Sequence, residues 1–312
     1  MRSRYLLISD TIIAADINKS ETGATMSDLA GHNMVDALLP PEMAERAESV
    51  GVAKTRLEIP KLLMLAVLAG AFIGFGSMFS VVVTAGADGM LPYGVTRLLG
   101  GLAFSLGLIL VIVGGAELFT GNNLMVMACA SGKVGFREVL RAWGLVYVGN
   151  FIGAAGLAFL VFLAAGYSHG GGSVGVIALA SADNKASLSA LQSVIHGVLA
   201  NVLVCLATWL CYSARTTTDK ILAIVPPIAA FSAAGFEHSI ANMFLLSFAL
   251  MTKFGAPAAF WGAIGQGEGG FPHLTILLML KNIVWVTLGN MMGGVLVGIT
   301  YWFIYLRKRE PV

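Results

Sequence analysis

The chain has 312 residues, of which 57% are hydrophobic and 12% are charged, and its formal net charge is +2 at pH 7. A charged share of about half the roughly 25% typical of globular proteins excludes a soluble chain. The lysines and arginines are scattered, which excludes a nucleic-acid partner because such binding needs a clustered basic surface.

The N-terminal part, residues 1–58, lacks an apolar run long enough to cross a bilayer, and we expect it to be a soluble segment outside the membrane. The stretch 5–17 is similar to a signal-peptide core, but two aspartates interrupt it, so we expect no cleavage. The run PPEMAERAESVGVAK at 40–54 predicts an amphipathic helix that starts at its prolines. We expect this helix to be solvated.

Apolar segments near the roughly 20 residues of a spanning helix follow from Ile59 onward. They predict an all-α membrane protein with a channel domain over 59–306 and a cytoplasmic tail over 307–312. The second and fifth segments carry polar interruptions, GAELFTGNN at 115–123 and GFEHSIAN at 235–242, so we expect both helices to be broken. We place the six transmembrane spans at about 62–85, 95–131, 140–165, 187–212, 221–252 and 283–305.

The orientation follows from the positive charges at the ends of the spans. With the N-terminus inside, eleven lysines and arginines lie on the cytoplasmic side, from Lys54 to Arg309, and four lie outside, namely Arg97, Lys185, Lys253 and Lys281. This asymmetry predicts that both termini are cytoplasmic. The Gly- and Ser-rich stretch at 166–186 and the stretch at 253–280 then form outer loops.

The two interruptions share the spacing G-x-E-x-x-x-x-N. Gly115, Glu117 and Asn122 form the first copy, and Gly235, Glu237 and Asn242 form the second. The third and sixth spans share a second pattern, GNFIG at 149–153 and GNMMG at 289–293. These matches predict a 3+3 repeat whose second copy is inverted because each copy has an odd number of spans, an architecture typical of transporters. The paired glycines themselves favour close helix packing in lipid.

Ionisable residues inside a membrane are costly and mark pairs or functional sites. Glu117 and Glu237 lie beside irregular backbone, where we favour a structural role in holding the loops over substrate contact. His196 has no repeat partner, and we interpret it as a satisfied interfacial histidine. His238 lies inside the second break, just before a half-helix whose N-terminal end can attract an anion, as can the half-helix that starts near Thr120.

Several other site types lack their sequence patterns. Cys129, Cys205 and Cys211 have neither CxxC nor His spacing, so we expect no metal, no cofactor and no disulfide. A neutral-solute channel of the aquaporin kind is disfavoured because neither break contains Asn-Pro-Ala. An intramembrane enzyme is disfavoured because HExxH does not occur and we expect no Ser/His pair on a strained G-x-S-x-G turn.

Longer strings resemble the signatures of the formate/nitrite transporter family, and of its formate channel branch in particular. They are VGGAELFTGNN at 113–123, GVLANVLVCLA at 197–207, GFEHSIANMF at 235–244 and TLGNMMGGVLVGITYWFIYLR at 287–307. The resemblance covers roughly residues 35–309. It implies an aquaporin-like protomer of six helices, assembled as a homopentamer with one pore in each subunit. Glu117 departs from the aspartate that is frequent in the formate branch.

The resemblance also assigns roles to individual residues. It implies narrow apolar gates at Leu108 with Phe104 toward the cytoplasm and at Phe231 by the other break. It implies a pore-loop threonine at Thr120 and a central histidine at His238. Further family positions fall on the supporting Asn290 and on the outer-vestibule Lys185. Apart from the resemblance, we expect loop support from Glu117, Glu237, Asn122, Asn242 and Asn201.

The resemblance implies bidirectional, pH-dependent passage of formate across the bacterial inner membrane. The imidazole of His238 can change its charge near neutral pH and hand a proton to a weak-acid anion. Nitrite or hydrosulfide transport within the same family is the nearest alternative. The expected partners are formate or a similar small monovalent anion, protons, membrane lipid and further copies of the chain.

Overall fold

The computed structural model describes residues 37–87 and 89–307. The predictions on 1–36, which include the signal-like stretch at 5–17, and those on 308–312 lie outside the described residues. The α-helices of the described chain are α1 Pro40–Thr55, α2 Ile59–Thr84, α3 Tyr93–Gly114, α4 Val126–Ala130, α5 Phe136–Leu163, α6 Ser173–Ser187, α7 Ala190–Ser213, α8 Thr217–Ala233, α9 Ser239–Gly255, α10 Ala258–Ile264 and α11 Ile276–Tyr301. Short 3-10 helices at Gly121–Met125, Gly166–Gly172 and Glu268–Gly270 and a π-helical turn at Trp302–Leu306 complete them.

Helix α1 begins at Pro40 as predicted, because proline fits the first helical position and needs no hydrogen-bond acceptor there. The expectation of a solvated helix is wrong. One side of α1 is buried, with Met43, Ala44 and Ala47 packed against Met127 and Trp209. These apolar contacts hold α1 against the end of the helical bundle, and we call this end the α1 face and the opposite end the distal face.

The membrane-spanning architecture follows the predicted one. Five helices are each long and apolar enough to cross a bilayer, namely Ile59–Thr84, Tyr93–Gly114, Phe136–Leu163, Ala190–Ser213 and Ile276–Leu306. The fifth of the six spans is divided into α8 and α9, as expected for a broken helix. The second is likewise broken after α3 and continues through the 3-10 turn into α4.

Two predicted loops contain helices instead. The stretch at 166–186 folds into a 3-10 turn and α6, and the last span begins at Ile276, before the predicted position 283. In the last span Lys281 and Asn282 separate the apolar run at 276–280 from the rest of the helix, so hydropathy places the start of the span too late. Thr275 caps the N-terminus of α11, because its side-chain oxygen accepts a hydrogen bond from Leu278 N.

The inverted repeat is visible in the helix packing. Helix α2 packs on α3 and α5 in the first half, and α7 packs on α8 and α11 in the second half. The two halves meet where α3 packs on α8. Helix α9 is buried almost all round, with Phe244 and Phe248 among the largest fully buried side chains, so it forms the centre of the core.

Glycines set the close approach of these helices. A Cβ atom on Gly153 would overlap the carbonyl group of Val67, and one on Gly289 would overlap that of Val194. The predicted packing role of these glycines is confirmed. A side chain on Gly153 would push α2 away from α5, and one on Gly289 would push α7 away from α11.

Equivalent glycines end the first half of each broken helix. Gly115, which follows α3, has φ +78°, and Gly235, which follows α8, has φ +77°. Both lie in the left-handed region that favours glycine and ends α-helices. The chain therefore leaves helical geometry at matching points of the two copies, 115–120 and 234–238.

Candidate functional site

The first break is held by one buried asparagine. Asn150 Oδ1 accepts a hydrogen bond from Phe119 N at 2.9 Å, and Asn150 Nδ2 donates to the carbonyls of Ala66 at 2.7 Å and Glu117 at 2.9 Å. Glu117 N also donates to the Leu65 carbonyl at 3.2 Å. The N–H of Phe119 and both backbone groups of Glu117 are therefore satisfied by protein groups, as apolar surroundings require.

The second break repeats this arrangement with Asn290. Its Oδ1 accepts from Ser239 N at 2.9 Å, and its Nδ2 donates to the carbonyls of Gly197 at 2.8 Å and Glu237 at 2.9 Å. Glu237 N donates to the His196 carbonyl at 3.3 Å. The structure thus places Asn290 beside the loop that carries His238, where it fixes the backbone on both sides of the histidine.

Each break also carries a lysine, a glutamate and an asparagine in contact. Lys54 Nζ lies 3.0 Å from Glu117 Oε2, to which Asn122 Nδ2 donates at 2.8 Å, and Lys54 also donates to Asn122 Oδ1 at 2.6 Å. The structural role expected for Glu117 has a physical basis here, because a carboxylate in the membrane is stabilised by a paired cation and an amide donor.

The corresponding group in the second break uses Lys185. Lys185 Nζ lies 2.7 Å from Glu237 Oε1, and Asn242 Nδ2 donates to Glu237 Oε2 at 2.6 Å. A further asparagine, Asn282, links the group by donating to the Lys185 carbonyl at 2.8 Å and accepting from Asn242 at 2.8 Å. Lys185, placed in the outer vestibule by the resemblance, is therefore bound to the loop-supporting Glu237.

The two loops meet at Thr120 and His238. Thr120 Oγ1 and His238 Nε2 are 2.9 Å apart, and both residues are buried, with relative exposures of 0% and 3%. Asn201 joins the same centre, since its Nδ2 donates to the carbonyls of Thr120 at 3.3 Å and Asn290 at 2.6 Å. Asn201 thereby connects the two breaks.

The hydrogen bonds of His238 define its neutral tautomer. Ala241 N donates to His238 Nδ1 at 3.2 Å, so this ring nitrogen is an acceptor and the ring caps the N-terminus of α9. The neutral imidazole then carries its proton on Nε2 and donates to Thr120 Oγ1. A second proton on Nδ1 would break the bond to Ala241, so a change in ring charge is coupled to the loop.

A cavity of about 540 Å³ opens at the distal face and reaches His238. Its lining includes Arg97, Lys185, His196 and Glu237 near the second break. His196 is satisfied as expected, with Nδ1 3.1 Å from the carbonyl of Gly235 at the second break. We call this space the distal cavity.

Two aromatic rings border the distal cavity on the side of the protein core. Phe104 and Phe231 line it, with ring centroids 5.4 Å apart in an edge-to-face arrangement, and the Phe231 and His238 rings are 6.1 Å apart. The resemblance places Phe104 in one gate with Leu108, and in the structure its ring also contacts Phe231. Leu108 lies one turn deeper on α3 and is 2% exposed.

Comparison with known proteins assigns this architecture. Residues 41–303 match the family model of the formate/nitrite transporters. The chain belongs to the formate/nitrite transporter family. Membership in a transport family agrees with the prediction that the chain is not an enzyme.

Similar members of the formate/nitrite transporter family include the formate channel FocA of Escherichia coli (strain K12). It is 42% identical over 280 residues, which cover 89% of this chain and 98% of that protein. The formate channel FocA of Haemophilus influenzae is 35% identical over 83% of this chain and 91% of that protein. A solved pentameric formate channel with formate bound is 45% identical, with a TM-score of 0.76 over 80% of this chain and 98% of that structure.

Sequence reasoning missed three residues of this formate/nitrite transporter site. Lys54 was counted only as a cytoplasmic charge, and Asn150 was seen in the repeat without being given a role. Arg97 was counted only as an outer charge. The sequence does contain a signal for Lys54. Lys54 lies eleven positions before Leu65, and Lys185 lies eleven positions before His196. The carbonyls of Leu65 and His196 are equivalent, because they accept from Glu117 N and Glu237 N.

Proposed function

We propose that the chain is a homopentameric channel that passes formate in both directions across the bacterial cytoplasmic membrane. The names of its similar relatives and the formate-bound pentameric structure favour formate over nitrite or hydrosulfide. In this proposal each protomer has its own pore through the distal cavity, and residues 59–306 form the channel domain. Exposed apolar side chains on the spans, such as Phe75 and Ile152, would face lipid or neighbouring subunits.

We further propose that the α1 face is cytoplasmic, together with both termini, and that the distal face is periplasmic. The positive charges of Lys54, Lys133 and Arg137 on the α1 face support this orientation. A cysteine at exposed Arg137 should react with an impermeant thiol reagent only after the cells are opened. A cysteine at exposed His169 should react in intact cells. The opposite pattern would refute the orientation.

The observation that carries the proposal is the contact between Thr120 and His238 at the end of the distal cavity. A formate anion loses hydration as it enters, and the N-terminal end of α9 offsets part of that cost. When a proton from the distal cavity has charged the ring, the imidazolium transfers that proton to formate. The products are neutral imidazole and formic acid. The neutral acid then crosses the apolar region around Phe231 and Leu108 with a smaller barrier than the anion.

The hydrogen bonds of His238 also explain how the ring returns to its neutral state. Loss of the proton from Nδ1 returns the acceptor that Ala241 N requires, so the neutral ring again caps α9 and donates to Thr120. The conformations of the ring in its two charge states therefore differ in their hydrogen bonds. This difference makes uptake depend on the pH at the distal face.

The test uses purified protein in proteoliposomes with formate, nitrite and hydrosulfide as separate solutes. We expect formate flux to exceed the other two, and uptake to rise as the external pH falls. His238→Asn is the matched variant, because the amide oxygen still caps α9 while the side chain no longer titrates. This variant should lose much more of its acid-stimulated uptake than of its efflux near neutral pH.

Two results would count against the proposal. A parent protein that carries nitrite or hydrosulfide faster than formate would reassign the substrate. An assembled His238→Asn variant with the pH dependence of the parent would leave His238 with a bracing role only.

A further inference from the structure

Arg97 lies in the first turns of α3 and faces the distal cavity. Its Nε donates to the Ala233 carbonyl at 3.1 Å, and its Nη2 donates to the Ser232 carbonyl at 2.6 Å. These carbonyls belong to the last turn of α8, which ends at the second break. The guanidinium group therefore caps the C-terminal end of a half-helix inside the protein.

This cap is specific to one half of the repeat. The equivalent position in the second copy is Thr217, at the start of α8, by the same spacing that relates Gly115 to Gly235. Gly235 leaves room for the guanidinium, since a Cβ atom there would lie 3.2 Å from Arg97 Nη2. The arrangement thus departs from the inverted symmetry that the loops otherwise follow.

Arg97 accounts for the net positive charge of the cavity wall. Among the described residues that line the distal cavity, the charged side chains are Arg97, Lys185 and Glu237, and two histidines, His196 and His238, also line it. Lys185 and Glu237 neutralise each other at 2.7 Å. Among the described residues Arg97 contacts only carbonyl oxygens, so none of their carboxylates neutralises it.

The contacts of Arg97 leave it able to bind an anion. A guanidinium has five N–H donors in a plane, and two of these are used by the carbonyls of α8. The Nη1 donors and one Nη2 donor remain for a carboxylate, whose two oxygens match this geometry. The cap also offsets the negative end of the α8 dipole, which would otherwise repel an anion at the break.

We propose that Arg97 forms an anion-binding site in the distal cavity that captures a small carboxylate before it reaches Phe231 and His238. The inference rests on the proposed function and deepens it. A cation in a cavity with low-dielectric walls raises the local concentration of anions, so Arg97 sets the apparent affinity for uptake. The maximal flux is set further inside, at the aromatic pair and the histidine.

The experiment measures formate uptake against concentration in proteoliposomes for the parent, Arg97→Gln, Arg97→Lys and Lys281→Gln. We expect Arg97→Gln to raise the apparent KM by about tenfold at low ionic strength with little change in maximal flux. Arg97→Lys keeps the charge and should stay within about threefold of the parent. Lys281→Gln removes an exposed charge outside the cavity lining and should match the parent.

The dependence of KM on ionic strength distinguishes an electrostatic role of Arg97 from a role as a helix cap. The parent KM should rise steeply as potassium sulfate raises the ionic strength from about 0.01 M to about 1 M, because the Debye length falls from about 30 Å to about 3 Å, whereas the KM of Arg97→Gln should respond weakly. The parent measurement remains decisive if Arg97→Gln does not assemble, because a KM independent of salt overturns the site. Equal loss of maximal flux in Arg97→Gln and Arg97→Lys, with KM unchanged, would reduce Arg97 to a helix cap. A parent without formate flux would instead refute the proposed function itself.

Discussion

The equivalent asparagines Asn290 and Asn150 offer a quantitative test of how the broken helices are held. Asn290→Ala removes three hydrogen bonds, to Ser239 N and to the carbonyls of Gly197 and Glu237. The side chain is buried, so water does not replace these bonds. Side-chain hydrogen bonds between membrane helices are worth about 0.6 kcal/mol on average and up to about 1.7 kcal/mol. Asn290→Ala should therefore lower the free energy of unfolding by about 2 to 5 kcal/mol.

Asn150→Ala is the matched variant, because it removes the equivalent three bonds, to Phe119 N and to the carbonyls of Ala66 and Glu117. The two losses should agree within about 1 kcal/mol. The assay is equilibrium unfolding in mixed micelles with rising SDS, followed by circular dichroism. Asn184→Ala, at an exposed position on α6, should change the stability by less than about 0.5 kcal/mol.

Asn290→Asp sharpens the comparison. It keeps the oxygen that accepts from Ser239 N but places a second oxygen against the carbonyls of Gly197 and Glu237, so it should be at least as destabilising as alanine. Parent-like stability of Asn290→Ala would refute the view that these bonds hold the loop. A loss confined to only one of the two asparagines would refute their structural equivalence.

Two further predictions concern helix packing and the apolar barrier. Gly153→Ala should prevent normal assembly, because its Cβ would overlap the Val67 carbonyl. The measurement is the loss of the native peak in size-exclusion chromatography. Gly156→Ala is the control, since a Cβ there meets open space, and it should assemble like the parent. Leu108→Ala and Phe231→Ala should each admit larger carboxylates in the flux assay while destabilising the fold by about 2 to 5 kcal/mol. Unchanged selectivity in assembled protein would return both side chains to a packing role.

Much of the fold could be predicted from the sequence because a bilayer limits the choices. A spanning helix needs a long apolar segment, so hydropathy located the spans, and polar residues in the middle of two of them located the breaks. The repeat aligned Gly115 with Gly235, and in the structure these two glycines end equivalent half-helices. The limits of the helices were less accurate, since polar residues such as Lys281 and Asn282 lie inside a helix and interrupt its apolar signal.

The site could be predicted only in part, because pairing across distant segments is invisible in a single sequence. Lys54 contacts Glu117 across 63 positions, and only the eleven-residue spacing that it shares with Lys185 points to this contact. Phe104 and Phe231 are ordinary apolar residues whose contact depends on the crossing of α3 and α8. The family resemblance pointed to both phenylalanines, but their pairing came from the structure.

The positions of Lys54 and Lys185 extend the duplicated unit beyond the membrane. Each lysine ends a helix that precedes the first span of its half, α1 in one case and α6 in the other, and each completes a break in that same half. A half is therefore a four-part module that supplies the lysine and the glutamate of its own loop. Residues 164–172 join the two modules, so this connection is a natural place to divide the gene and let two separate polypeptides rebuild one pore.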